Sequence, residues 1–172
     1  MGFGDGSRLG RQGEVMGQPA SKSAKALAAL LILGGAVGIG IALLVGYQLA
    51  QANWAYAGLM ALLLALFAWS ALTGIRLWRG DPRGWRWAVI LFAAQIPVLA
   101  IPGFAYEYFT GIAIKLVGGD VESALSFGIG ATANVFVGTA ASGLAYGVNL
   151  VAVAALALLL WRRPQPADGL HA

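Results

Sequence analysis

Four long apolar runs divide the chain, at residues 26–50, 54–75, 87–101 and 141–161. A different rhythm occupies residues 104–138, where large apolar side chains recur at every second position. Phe104, Tyr106, Tyr108, Ile112, Ile114 and Leu116 fall on even numbers, and Leu125, Phe127, Ile129, Val135 and Val137 on odd ones. A period of two predicts two half-buried strands. Paired residues share a face, so the two apolar rows meet only when paired numbers sum to an odd number. A two-residue loop at Gly119-Asp120 satisfies that rule and places Gly first, as a type II′ turn requires. The expected register sets Ile114 against Leu125, Ile112 against Phe127 and Tyr108 against Ala131, with Lys115 diagonal to Glu122.

The apolar runs predict membrane spans, because about 20 apolar residues cover a hydrocarbon core of about 30 Å. Only 10% of the 172 residues are charged and 59% are hydrophobic, against about 25% charged in a soluble domain. The first run follows Lys22 and Lys25 and ends near an Ala50-Gln51-Ala52 sequence that resembles a signal-cleavage site. Its apolar core exceeds the 7–15 residues of a signal peptide, which favours an uncleaved anchor.

Basic residues then set the threading. Arg8, Arg11, Lys22 and Lys25 precede the first run; Arg76, Arg79, Arg83 and Arg86 separate the second from the third; Arg162 and Arg163 follow the fourth. The linker at residues 51–53 has no Lys or Arg, and the strand segment has Lys115 alone. The positive-inside rule puts both termini in the cytoplasm and the strand pair outside. Trp78, Trp85 and Trp87 among the arginines read as interfacial anchors rather than a single-strand nucleic-acid surface, so no nucleic acid is expected. Residues 1–25 are glycine-rich with scattered cations and, like residues 163–172, read as cytoplasmic tails.

Few residues suggest chemistry. There is no cysteine, and the single histidine is His171, next to the end. The run interiors hold no Asp, Glu, Lys, Arg or His, which argues against a proton-coupled pump or an embedded-carboxylate multidrug transporter. No catalytic, cofactor or metal site is expected. Two polar residues interrupt the later runs. Gln95 stands two positions before Pro97, whose ring frees a backbone carbonyl, and Asn149 lies near the middle of the fourth run. Read as helices, those runs place the two at depths differing by roughly 6 Å, within reach of an interhelical hydrogen bond worth about 0.6 kcal/mol. The alternative role is a polar lining for a permeation path. In the first run, Gly34, Gly38, Ala42 and Gly46 form a ridge of small residues at four-residue spacing, suited to helix packing within the chain or between chains.

The expected architecture is therefore a membrane all-α protein with a β insert: four transmembrane helices in residues 26–162, and an extracytoplasmic hairpin at 104–138 between helices 3 and 4. The expected setting is the inner membrane, with the lipid bilayer as first partner. The hairpin's apolar face carries Tyr106, Tyr108, Ile112, Ile114, Leu125, Phe127 and Ile129, and its two edges are open. Isolated hairpins are marginal and open edges are normally covered. The expected function is thus non-enzymatic assembly, with a second copy or another membrane or extracytoplasmic protein on the hairpin. A small channel or transport component is the alternative, and an enzyme subunit whose chemistry lies in a partner is a third.

Overall fold

The computed structural model describes residues 21–52, 55–120, 124–137 and 143–161. The expected terminal tails lie outside these residues, apart from the few positions beside the first helix. Helix α1 (Lys22–Ala52) and helix α2 (Ala55–Trp78) pack antiparallel along one side of α1. That side is built from small residues. Ala24, Leu27, Ala28, Leu31, Gly34, Gly35, Gly38, Ala42 and Gly46 repeat at helical spacing and are buried. Leu33, Val37, Ile41, Leu43, Leu44 and Val45 cover the opposite side and are exposed. Both helices are long and apolar enough to cross a membrane.

Helix α2 ends in a turn at Gly80, whose φ of +75° suits glycine. Gly80 N–H donates to the Leu77 carbonyl and Asp81 N–H to the Arg76 carbonyl, which closes the helix in a Schellman pattern. Asp81 then caps helix α3 (Pro82–Ala94): its carboxylate accepts from Arg83 N–H at 2.8 Å, and Pro82 occupies the first turn. The basic segment between the second and third runs is thus a tight helix-to-helix turn. Lys25 lies over the Trp78 ring at 5.9 Å, so the start of α1 and the end of α2 lie at one level.

Here the expected four-span architecture is overturned. The third run is the end of α3 followed by strand β1 (Pro97–Ile101), and the fourth is strand β4 (Ala145–Asn149) followed by helix α4 (Leu150–Trp161). With 13 and 12 residues, α3 and α4 extend only about 20 and 18 Å, short of a hydrocarbon core of about 30 Å. There is no four-helix transmembrane bundle. The physical reason is that a short apolar run has no periodicity to separate a buried strand from a helix. Pro97 cannot donate in a helix interior and sits instead at the first position of a strand.

The hairpin is likewise not a free-standing arm. Strands β2 (Phe104–Gly119) and β3 (Ala124–Val137) join β1 and β4 in one four-stranded antiparallel sheet. β1 and β2 are linked at Pro102-Gly103, with Gly103 at φ +85°, as a type II turn requires at its second central residue. Phe104 pairs with Val137, Ile112 with Ile129 and Leu116 with Leu125. The phase is as expected but the register is displaced by one strand repeat, and the expected loop at Gly119-Asp120 runs into residues outside the described ones.

The pairings also show that β2 doubles back. Its first residues pair with β1, its last residues pair with β4, and β1 and β4 pair with each other, all antiparallel. Those directions close only if the two arms of β2 run in opposite senses. The reversal is centred on Gly111, paired with Gly130 across β3; their φ values are +91° and +129°. Glycine is the residue that enters this region without strain. The result is a partly closed barrel of short arms, sealed where β1 meets β4. The outer edge of β3 pairs with no other strand among the described residues.

Candidate functional site

The sheet meets the helices through a buried polar junction. Thr110, just before the bend in β2, faces Ser70 of α2 and Gln95, the C-terminal cap of α3. Gln95 is 2% exposed, and both ends of its amide are used. Its Nε2 donates to Thr110 Oγ1 at 3.2 Å, and its Oε1 accepts from Thr110 N–H at 3.2 Å. Ser70 Oγ lies 3.3 Å from Thr110 Oγ1 and donates to the Leu31 carbonyl of α1 at 3.3 Å. One strand residue therefore links α1, α2 and α3. The Thr110 N–H beside the reversal needs a partner in a dry interior, and Gln95 Oε1 supplies it.

Asn149 is 1% exposed and closes the neighbouring strand-to-helix junction. Its N–H donates to the Ile96 carbonyl at 2.9 Å, while its Oδ1 accepts from Val151 and Ala152 N–H at the start of α4. Gln95 and Asn149 are thus close in the fold, but their side chains serve separate partners and make no hydrogen bond to each other. Both sit at helix ends instead of inside spans. Thr73 Oγ1, Tyr108 Oη and Asn149 Nδ2 are buried without a hydrogen-bond partner in the chain. The Tyr106 hydroxyl donates to the Ala94 carbonyl at 2.7 Å.

The small-residue ridge on α1 lies against the same chain. A side chain at Gly34 would collide with the backbone of Thr110 and Gly111. At Gly38 it would enter the Phe67 ring, and at Gly46 the Met60 side chain; Ala42 is buried. Gly34 is what allows α1 to touch β2 at its bend.

The apolar residues of the hairpin separate into two groups. Tyr108 is 4% exposed and packs on Phe67, with ring centroids 6.4 Å apart, and Tyr106 is half-buried against the helices. Ile112 and Ile114, past the bend, are half-buried. Leu125, Phe127 and Ile129 are 70%, 66% and 73% exposed. Leu116, Tyr146 and Val148 extend that exposed surface. The opposite face is enclosed between the arms. Phe109 and Ala113 fill it, Phe109 approaches Gly128, and Lys115 Nζ pairs with Glu107 Oε1 at 2.6 Å. Eight residues separate this pair along one strand, so the contact exists only because β2 folds over. Glu122, the expected neighbour of Lys115, lies outside the described residues.

Sequence reasoning missed Ser70, Thr110 and the bend at Gly111 and Gly130. The available signal was the cluster Gly111, Gly128 and Gly130, since glycine inside a strand marks a bend or a close backbone approach. Comparison with protein-family models, curated proteins and solved structures gives no match. Among the described residues, no group of three or more His, Cys, Asp or Glu is placed to hold a metal ion.

Proposed function

We propose that this chain is a non-enzymatic integral protein of the inner membrane, anchored by α1 and α2, whose β-sheet mediates assembly with a second copy. The observation that carries this reading is the outer edge of β3. It is 14 residues long, contains no proline and no charged residue, and pairs with no other strand among the described residues. Natural edge strands are shortened, charged, interrupted by proline or covered, and β3 has none of the first three protections. An open edge is costlier still beside lipid, where no water satisfies its N–H and C=O groups.

The membrane setting is supported by α1 and α2, whose surfaces expose Leu33, Leu43, Leu44, Leu59 and Leu62. Core helices of a water-soluble domain would have such side chains buried. Lys22, Lys25, Arg76, Arg79, Arg83 and Arg86 gather at one end of the helix pair, which the positive-inside rule assigns to the cytoplasm, together with both chain ends. The permeation reading has less behind it, because both ends of the Gln95 amide are used by Thr110 and the Asn149 Oδ1 is used by the start of α4.

The chain has no native cysteine, so single cysteines can be scanned along β3 from Leu125 to Asn134 in native membranes. Antiparallel pairing of two β3 edges about a two-fold axis predicts a disulfide-linked dimer that peaks at one position and falls away on both sides. Uniform or absent linkage, with a monomeric mass in lipid nanodiscs, would exclude self-assembly through this edge.

A further inference from the structure

We propose that the outer arm of the sheet is a lipid-facing surface, with Leu116, Leu125, Phe127, Ile129, Tyr146 and Val148 set against acyl chains inside the hydrocarbon layer. This rests on the membrane reading above but not on self-association.

The depth of the sheet is set by its contacts with the helices. The basic end of the helix pair is fixed by Lys25 and Trp78, which touch. The sheet meets α1 at Gly34 and α2 at Ser70 and Phe67. Nine residues separate Lys25 from Gly34, eight separate Ser70 from Trp78 and eleven separate Phe67 from Trp78. At 1.5 Å per residue the contacts lie about 12–16 Å above the basic level, near the middle of a layer about 30 Å thick. Gly130 lies slightly higher, at about 18 Å, where a side chain in its place would meet Val37, twelve residues beyond Lys25. Ile129 adjoins it. The bend end of the hairpin is thus held within the layer and not in water beyond it.

Polarity is distributed unevenly across the sheet. In a water-soluble sheet the apolar face packs inward and the polar face meets solvent. The outer arm departs from this. The face between the arms carries Glu107, Lys115, Ser126 and Thr132 around the buried Phe109 and Ala113, with the two charges paired, and the exposed face of the outer arm carries large apolar side chains. Outward apolar and inward polar is the pattern of a sheet solvated by lipid. No charged residue occurs in β3 or β4. The exposed side of α1, with Leu33, Val37 and Ile41, continues this apolar surface at the Val37–Gly130 contact. Left in water, such a surface would be an aggregation site.

The test places cysteines singly at Leu125, Phe127 and Ile129 of the full chain, each carrying an environment-sensitive fluorophore. The bilayer contains lipids brominated at mid-chain, and iodide serves as the aqueous quencher. Leu43→Cys, on the exposed side of α1, is the lipid reference; Arg79→Cys is the aqueous reference. The expected result is several-fold stronger quenching by brominated lipid than by iodide at all three positions, close to Leu43. Iodide quenching like that at Arg79 would overturn the proposal by placing the arm in water. Protection from both quenchers would overturn it by placing protein on the face.

A second, label-free readout is the membrane-inserted yield of Ile129→Asp. A carboxylate set in hydrocarbon should lower it several-fold, and a yield equal to wild type would contradict the proposal. Lipid quenching from a chain that is monomeric in nanodiscs would leave this inference standing and remove the self-assembly reading. Iodide quenching from an intact dimer would do the reverse.

Discussion

Two arms of one hairpin carry the same alternation and meet opposite surroundings. Tyr106 and Tyr108 on β2 before Gly111, and Ala131 and Ala133 on β3 after Gly130, pack on the helices. Ile112, Ile114 and Leu116, with Leu125, Phe127 and Ile129 opposite them, belong to the same face of the same ladder, yet point away from the helix core. Side-chain pattern is therefore not what separates the arms. The bend at the Gly111–Gly130 pair is, because it reverses the direction a face looks without breaking its period. The difference teaches that an apolar row on a strand specifies what should be kept from water, and leaves open whether protein or lipid does it.

The comparison is broken most sharply by truncating one large side chain on each arm. Tyr108→Ala should cost about 3–5 kcal/mol, as deletion of a buried aromatic does. Phe127→Ala should cost less than about 0.5 kcal/mol in detergent, as at an exposed position. Thermal unfolding of the detergent-solubilised protein reads both, and equal losses would mean that the arms share one environment.

A somewhat smaller effect separates two glycines of α1. Gly34→Leu forces a side chain into the backbone of the bend and should cost about 1–3 kcal/mol or more, as overpacking does. Gly40, six residues on, faces open space, with nothing near its missing side chain. Gly40→Leu should leave the melting temperature unchanged. Similar losses at both would remove Gly34 as the support of the bend.

The smallest effect concerns the junction. Gln95→Leu leaves Thr110 N–H buried without its acceptor and should cost about 1–3 kcal/mol. Restoring the amide as Asn should not recover it if reach from α3 to Thr110 matters, since the side chain is one methylene shorter. Recovery by Asn would mean that Gln95 contributes polarity and not a specific bridge.

These contrasts also mark how much the amino-acid pattern reveals. The long apolar runs at 26–50 and 54–75 are helices α1 and α2, both long and apolar enough to cross a membrane, because such uninterrupted runs favour a helix. The strand phase in 104–138 was legible from alternation, whereas the register was not, because a shift of two residues keeps every side chain on its face. The segments 87–101 and 141–161 were misread because each joins half a helix to half a strand within one apolar run. Gly143, Tyr146 and Gly147 were the available hint. A side chain at Gly147 would meet the Leu116 carbonyl and Val117, so that glycine serves a close strand contact. Gln95 and Asn149 were found as buried polar residues, but their partners were not. Ser70 and Thr110 look ordinary in sequence and gain their role only when the bend brings three helices to one strand.

The bend in β2 brings two distant residues of one strand together, and their separation tests it. Glu107 and Lys115 are eight residues apart on β2, and their side chains touch at 2.6 Å. In a straight strand the same residues would be separated by about 26 Å. The double variant Glu107→Cys/Lys115→Cys, treated in membranes with a short thiol-to-thiol linker, should form an intramolecular link in most molecules. The same linker should fail on the control pair Glu107→Cys/Leu125→Cys, whose residues face opposite sides of the ladder. Free, fully labelable thiols at 107 and 115 with no linkage would mean a straight hairpin, and would contradict both the closed sheet and the lipid-facing arm built on it.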